Sequence, residues 1–133
     1  MKRTELLAPA GDFTCLMAAF NAGADAVYLA GNSFGARAFA NNFAEEELIE
    51  ALDYAHIFSK KIYLTLNTLI KESEFSSIVR FLAPYYEHGL DGIIIQDLGL
   101  IPLLKKEFPL LELHASTQMT VNNYKSEIGR AHV

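Results

Sequence analysis

Cysteine is almost missing: Cys15 is the single thiol among 133 residues. One thiol forms no internal disulfide framework, and alone it holds neither an iron–sulfur cluster nor a thiolate zinc site. Long apolar runs are also missing. The longest, around Gly92 to Leu104, is broken by Asp97 and two turn formers, and falls short of the roughly 20 apolar residues that span a bilayer. Lys2 and Arg3 before an apolar stretch, with Ala22-Gly23-Ala24 beyond, imitate a secretion signal. Glu5, Asp12 and the break at Pro9-Ala10-Gly11 end the imitation. No membrane association is expected, and the cytoplasm is the expected location. Basic residues are the minority, 11 Lys and Arg against 16 Asp and Glu, for a formal charge of −5. That argues against a built-in duplex-binding stripe but leaves RNA open as a substrate. No Gly-x-Gly-x-x-Gly follows the first apolar run, and no His-Glu-x-x-His occurs, so neither a dinucleotide fold nor a zinc peptidase has positive support. No pattern specifies the convergence of hydroxyl, base and acid that a serine peptidase needs.

What is present is regular alternation. Half of the residues are hydrophobic and a fifth are charged, the composition of a packed core. Short apolar runs at Leu6–Ala8, Ala26–Ala30, Ile62–Leu66, Ile93–Ile95 and Leu111–Ala115 read as parallel strands covered on both faces. Between them lie helical periodicities. Phe13, Leu16, Met17 and Phe20 form one stripe behind the N-cap Asp12, and Gly23 ends the helix. Asn42 with Glu45 resembles a capping box ahead of Leu48, Ile49 and Leu52. Ser73 opens a third helix carrying Phe75, Ile78, Val79 and Leu82, which Pro84 should kink or end. A fourth starts near Leu98 and stops before Pro109. The order βαβαβαβαβ means a parallel sheet. Gly23-Ala-Asp25-Ala26 recurs as Gly89-Leu-Asp91-Gly92, an echo expected between units of a barrel. The expected fold class is therefore α/β, a (β/α) TIM-barrel-like fold truncated to about five strands and four helices. A complete barrel needs about 250 residues. A doubly wound five-stranded sheet fits the length and is the alternative.

Four segments, Glu5-Leu-Leu-Ala-Pro-Ala-Gly11, Gly23-Ala-Asp-Ala-Val-Tyr-Leu-Ala-Gly31, Asp91 to Gly99 and His114-Ala-Ser-Thr-Gln118, occur in this order. With Phe34-Gly35-Ala36-Arg37 and Leu66-Asn67-Thr68 they resemble the N-terminal signature of peptidase family U32, the collagenase-like proteases, over about residues 5 to 123. The resemblance implies a barrel-like domain belonging to a longer protein. It also implies one of two activities, peptide hydrolysis or oxygen-independent hydroxylation of tRNA uridine, ribosomal RNA or ubiquinone precursors. The hydroxylating relatives carry a cysteine-ligated iron–sulfur cluster, and the RNA-modifying ones use prephenate as oxygen donor. Those cysteines lie downstream of this region, and Cys15 does not match them, so no cofactor is expected on this chain.

Functional groups of parallel barrels sit just past the C-terminal strand ends, where these motifs fall. The candidate binding residues are Arg37, Asn67, Gln96, His114, Ser116 and Gln118, for RNA or a prephenate-like small molecule. Each has a bland alternative. Arg37 either grips an anion or pairs with a loop acid. Asn67 is a ligand amide or a strand-end polar group. His114 faces the rim or is a satisfied core histidine. Ser116, Thr117 and Gln118 bind a ligand or cap a following helix. Asp12 and Asp97 read as caps ahead of acids. Residues 1–126 form the barrel part. Residues 127–133, Glu-Ile-Gly-Arg-Ala-His-Val, read as a translated sequencing adapter. Taken alone the chain is expected to be inactive; a peptidase, or a non-catalytic subunit of a homo- or hetero-oligomer, are the alternatives to a hydroxylase.

Overall fold

In the computed structural model, residues 4–36 and 42–125 are described. Arg37 and the suspected adapter tail lie outside them. Five strands, β1 (Leu7–Pro9), β2 (Ala26–Leu29), β3 (Lys61–Leu66), β4 (Gly92–Ile95) and β5 (Glu112–Ala115), alternate with four helices, α1 (Phe13–Asn21), α2 (Glu45–Ile57), α3 (Phe75–Glu87) and α4 (Leu100–Glu107). The strands form one parallel sheet in the order β1-β2-β3-β4-β5. Each strand lies beside its predecessor, so the reversal of strand order that defines a doubly wound sheet is absent among these five.

The two faces of the sheet differ. Val27, Leu29, Ile62, Leu64, Leu66, Ile93 and Ile95 share one parity and join the buried faces of the helices in a single hydrophobic cluster. The helical contribution is Leu16 and Phe20, Leu48, Ala51, Leu52 and Ala55, Ile78, Leu82 and Tyr85, Leu100 and Leu104. Residues of the other parity, Leu7, Pro9, Tyr28, Tyr63, Thr65, Ile94 and His114, stand outside that cluster. Helices thus cover one face, not both as the unbroken apolar runs suggested. The apolar residues of the open parity are what misled the periodicity.

Helix ends follow local chemistry. Asp12 caps α1, its Oδ1 accepting the Cys15 N–H at 2.7 Å. The cap of α2 lies two residues later than expected, at Ala44, whose N–H donates to Glu47 Oε2 at 2.9 Å. A short 3-10 turn, Glu72–Glu74, precedes α3, and Glu74 returns to the Lys71 N–H at 2.8 Å. Pro84 does not end α3, which continues to Glu87. Tyr85, just beyond it, is 2% exposed. Keeping that ring in the core outweighs the one backbone hydrogen bond that proline deletes. Asp97 is not the α4 cap. Its Oδ1 accepts from the Gly99 N–H at 2.8 Å, and its Oδ2 from the Ile70 N–H at 3.0 Å in the loop after β3.

The repeated Gly-x-Asp has a structural meaning. Gly23 and Gly89 take positive φ, 104° and 82°, just after α1 and α3. The aspartate two residues on then reaches back one strand. Asp25 Oδ2 accepts from the Leu6 N–H at 2.9 Å, and Asp91 Oδ2 from the Ile62 N–H at 2.8 Å. Asp91 also meets His56 Nε2 at 3.0 Å.

Candidate functional site

The strand register carries residues 28 and 30, 65 and 67, 94 and 96, and 114 and 116 toward the open face. At the C-terminal strand ends this face walls a cavity of about 700 Å³. Tyr28, Thr65 and Ile94 belong to its floor, Asn67, Ser116 and Gln118 to its rim, and Asp12 to its lip. The rim loops are tied to one another. Asn67 Oδ1 accepts the Ala36 N–H at 3.0 Å, and Thr68 Oγ1 donates to the Phe34 carbonyl at 2.9 Å. Phe34 has φ 60°, a left-handed conformation costing a bulky side chain roughly 1–2 kcal/mol. Its ring packs on Phe81 at 5.5 Å, which with the Thr68 bond holds it there. Gln96 Nε2 reaches the Gln118 carbonyl at 3.5 Å, the outer limit for a hydrogen bond.

Of the candidate residues, Asn67, Ser116 and Gln118 line this cavity. Gln96 stands beside it, in contact with Gln118. His114 lies one layer deeper on the same face, with its ring 4.5 Å from that of Tyr63. The position of Arg37 is outside the described residues. Sequence reasoning overlooked Tyr28, Thr65 and Ile94. The signal was available as period-two spacing back from Ala30, Asn67 and Gln96, but strand ends had to be known first.

Toward the N-terminal strand ends the open face becomes ionic. Glu5 Oε1 accepts from the Tyr63 hydroxyl at 2.6 Å, and Lys61 Nζ donates to Glu5 Oε2 at 3.0 Å. His114 Nε2 comes within 3.3 Å of Glu112 Oε2, but the angle is not that of a hydrogen bond, and the nitrogen is buried without a hydrogen-bond partner among the described residues. Gly92 makes this layer fit. A Cβ there would meet the Glu112 carbonyl at 3.0 Å and Tyr63 Cδ1 at 3.1 Å.

The Tyr63 hydroxyl, more than Lys61, holds the Glu5 carboxyl below its usual range, against desolvation. Burial, then Glu5, raises Tyr63, and Glu5 raises Lys61. A depressed carboxylate stabilises above its unfolded pKa and loses that contribution as pH falls. Raised Tyr63 and Lys61 contribute fully below about pH 10 and lose it as pH rises further. Thermal stability should therefore be flat from about pH 5 to 9 and fall on both sides. Tyr63→Phe should move the acid limb to higher pH and cost about 1 kcal/mol, since Glu5 is partly exposed. Melting curves of both proteins across pH test this; coincident acid limbs would refute the Tyr63–Glu5 coupling.

Cys15 is exposed, and no group of three or more His, Cys, Asp or Glu is placed to hold a metal ion among the described residues. Nor is any described helix long and apolar enough to cross a membrane.

The model of Peptidase family U32 matches residues 11–127. The 23S rRNA 5-hydroxycytidine synthase of Escherichia coli is 40% identical over 119 residues, covering 90% of this chain and 18% of the relative. An uncharacterized protease of Methanocaldococcus jannaschii is 42% identical over 92% of this chain and 30% of its own length. A tRNA hydroxylation protein of Bacillus subtilis is 35% identical over 94% of this chain and 30% of its own. The chain thus spans less than a third of each of these three relatives, and it belongs to peptidase family U32.

Proposed function

We propose that these residues are the first five strands and four helices of a TIM-barrel-like domain in a longer cytoplasmic protein. In this reading that protein hydroxylates RNA, with tRNA uridine as substrate and prephenate as oxygen donor. The observation that carries the reading is the cavity at the C-terminal strand ends, on the face that helices leave open. Sequential strand order with helices on one face is the arrangement of a barrel wall. Relatives that act on ribosomal RNA and on tRNA hydroxylation support the substrate class.

The chain's own contribution is binding and orientation. Asn67, Ser116 and Gln118 offer polar groups at the rim, above a floor that includes Tyr28, Thr65 and Ile94. An iron–sulfur cluster, if the longer protein holds one, draws its ligands from outside these residues, and no step is assigned to it. Among the described histidines, His56 is bonded to Asp91 and His88 Nδ1 to the Pro84 carbonyl, and the His114 ring lies beside Tyr63. None is hydrogen-bonded to a serine hydroxyl among the described residues, which gives the peptidase alternative no geometric support.

The test is genetic. The full-length gene is expressed in a host stripped of its own tRNA-hydroxylation genes, and tRNA nucleosides are measured by mass spectrometry. Hydroxylated uridine is expected to return, and to be lost when prephenate synthesis is blocked. Unmodified tRNA together with gelatin cleavage by the purified protein would overturn the reading in favour of a peptidase.

A further inference from the structure

The hydrogen bonds already made around the cavity determine what its wall has left to offer. The Asn67 amide faces the Ala36 N–H, a donor that only the amide oxygen can meet. That bond fixes the amide plane and its orientation, so Nδ2 is the end without a hydrogen-bond partner among the described residues. Ser116, 7% exposed, accepts the Gln118 N–H on Oγ at 3.2 Å, which leaves its hydroxyl proton to donate. Thr65 is different: its Oγ1 gives its proton to the Leu29 carbonyl at 3.2 Å. Asp12 is the one charged side chain on the wall among the described residues, and it is committed to the start of α1. Two donors therefore stand just past the ends of β3 and β5, across one intervening strand, about 10 Å apart at the backbone.

We propose that this cavity recognises a neutral carbonyl-bearing ligand, with the Asn67 Nδ2–H and Ser116 Oγ–H groups donating to its oxygens. Asn67 is then a specificity-determining residue whose own oxygen is spent on positioning the loop after β2. A cationic donor such as a guanidinium finds on these two side chains only oxygens that already accept a backbone N–H, and its one charged partner on the wall among the described residues is the α1 cap Asp12. A carboxylate meets the same two donors but also the anionic Asp12, so a neutral oxygen fits better. The proposal rests on the functional reading only in placing a ligand in this cavity, and it does not require the ligand to be RNA.

The experiment is NMR titration of the 133-residue chain, labelled with nitrogen-15, with uracil, malonate and guanidinium as separate probes. Uracil is expected to shift the Asn67 side-chain amide and the Ser116 and Gln118 backbone signals, with malonate weaker and guanidinium without effect there. Asn67→Asp retains an acceptor for the Ala36 N–H but has no donor. It should keep that amide protected from exchange and weaken uracil by about tenfold, the effect of one hydrogen bond. Asn67→Ala should lose both the protection and the binding, and Ser116→Ala the binding alone. Malonate or guanidinium binding more tightly than uracil would overturn the proposal. So would Asn67→Asp binding uracil as well as the parent, or no probe shifting these signals. Failure of the tRNA assay with uracil binding intact would remove the RNA reading and leave this one standing.

Discussion

Ile93→Ala should lower the thermal midpoint by about 10–20 °C, whereas Ile94→Ala, one residue along the same strand, should lower it by only a few degrees. Ile93 is fully buried in the cluster shared with the helices. Truncating it removes three carbons and leaves a cavity, a cost of roughly 2–5 kcal/mol. In a domain of this size each kcal/mol moves the midpoint by about 3–5 °C, and the whole net stability is only about 5–15 kcal/mol. Ile94 points the other way, half-buried on the cavity wall. Its truncation forfeits part of one side chain's burial and creates no closed void. Differential scanning calorimetry of the two variants decides the matter. Equal losses would mean that the open face is as well packed as the helical one, and the one-sided core would be wrong.

Asp91→Ala should cost about 2 kcal/mol, more than a surface substitution, because it orphans a backbone donor. The Ile62 N–H points at Asp91 Oδ2, and Ile62 itself is fully buried. His56 loses its partner as well. Asp91→Asn keeps an acceptor oxygen in reach and should recover most of the loss. Amide exchange at Ile62 reports the bond directly: protection should fall sharply in the alanine variant and little in the asparagine one. If both variants exchange alike and melt alike, the aspartate serves some purpose other than stapling β3 to β4.

The strands and helices were legible because their signals are local. Five apolar runs separated by 3.6-residue stripes define their own boundaries to within a few residues, and Asp12 and Gly23 mark the ends of α1 by backbone chemistry alone. That α3 runs on past Pro84 was not legible, because proline's local penalty is visible in the sequence while the burial of Tyr85 is not. The two faces of the sheet were not legible. Ile94 and Ile93 look alike until the register assigns one to the helices and the other to the cavity. The rim was half legible: of the motif residues at strand ends, Asn67, Ser116 and Gln118 line a cavity. The hydrogen-bond polarity of Asn67 was hidden, since it depends on Ala36, 31 residues away. The Glu5–Tyr63 pair was hidden for the same reason, its partners being 58 residues apart.

The sequential strand order bears on how the chain is made. Every strand finds its partner in the strand synthesised just before it, and Asp25 and Asp91 each fasten their own strand to that earlier neighbour. Among these five strands none waits for a distant one, so the loop to be closed at each step is a single βα unit, and closure entropy grows only slowly with its length. The sheet can therefore lengthen at one edge as the polypeptide leaves the ribosome, at the pace of translation of about 5–20 residues per second. At each stage the most recent strand is the exposed one, its edge capped only when the next unit arrives. Slow codons between units would prolong that exposure, and fast ones shorten it.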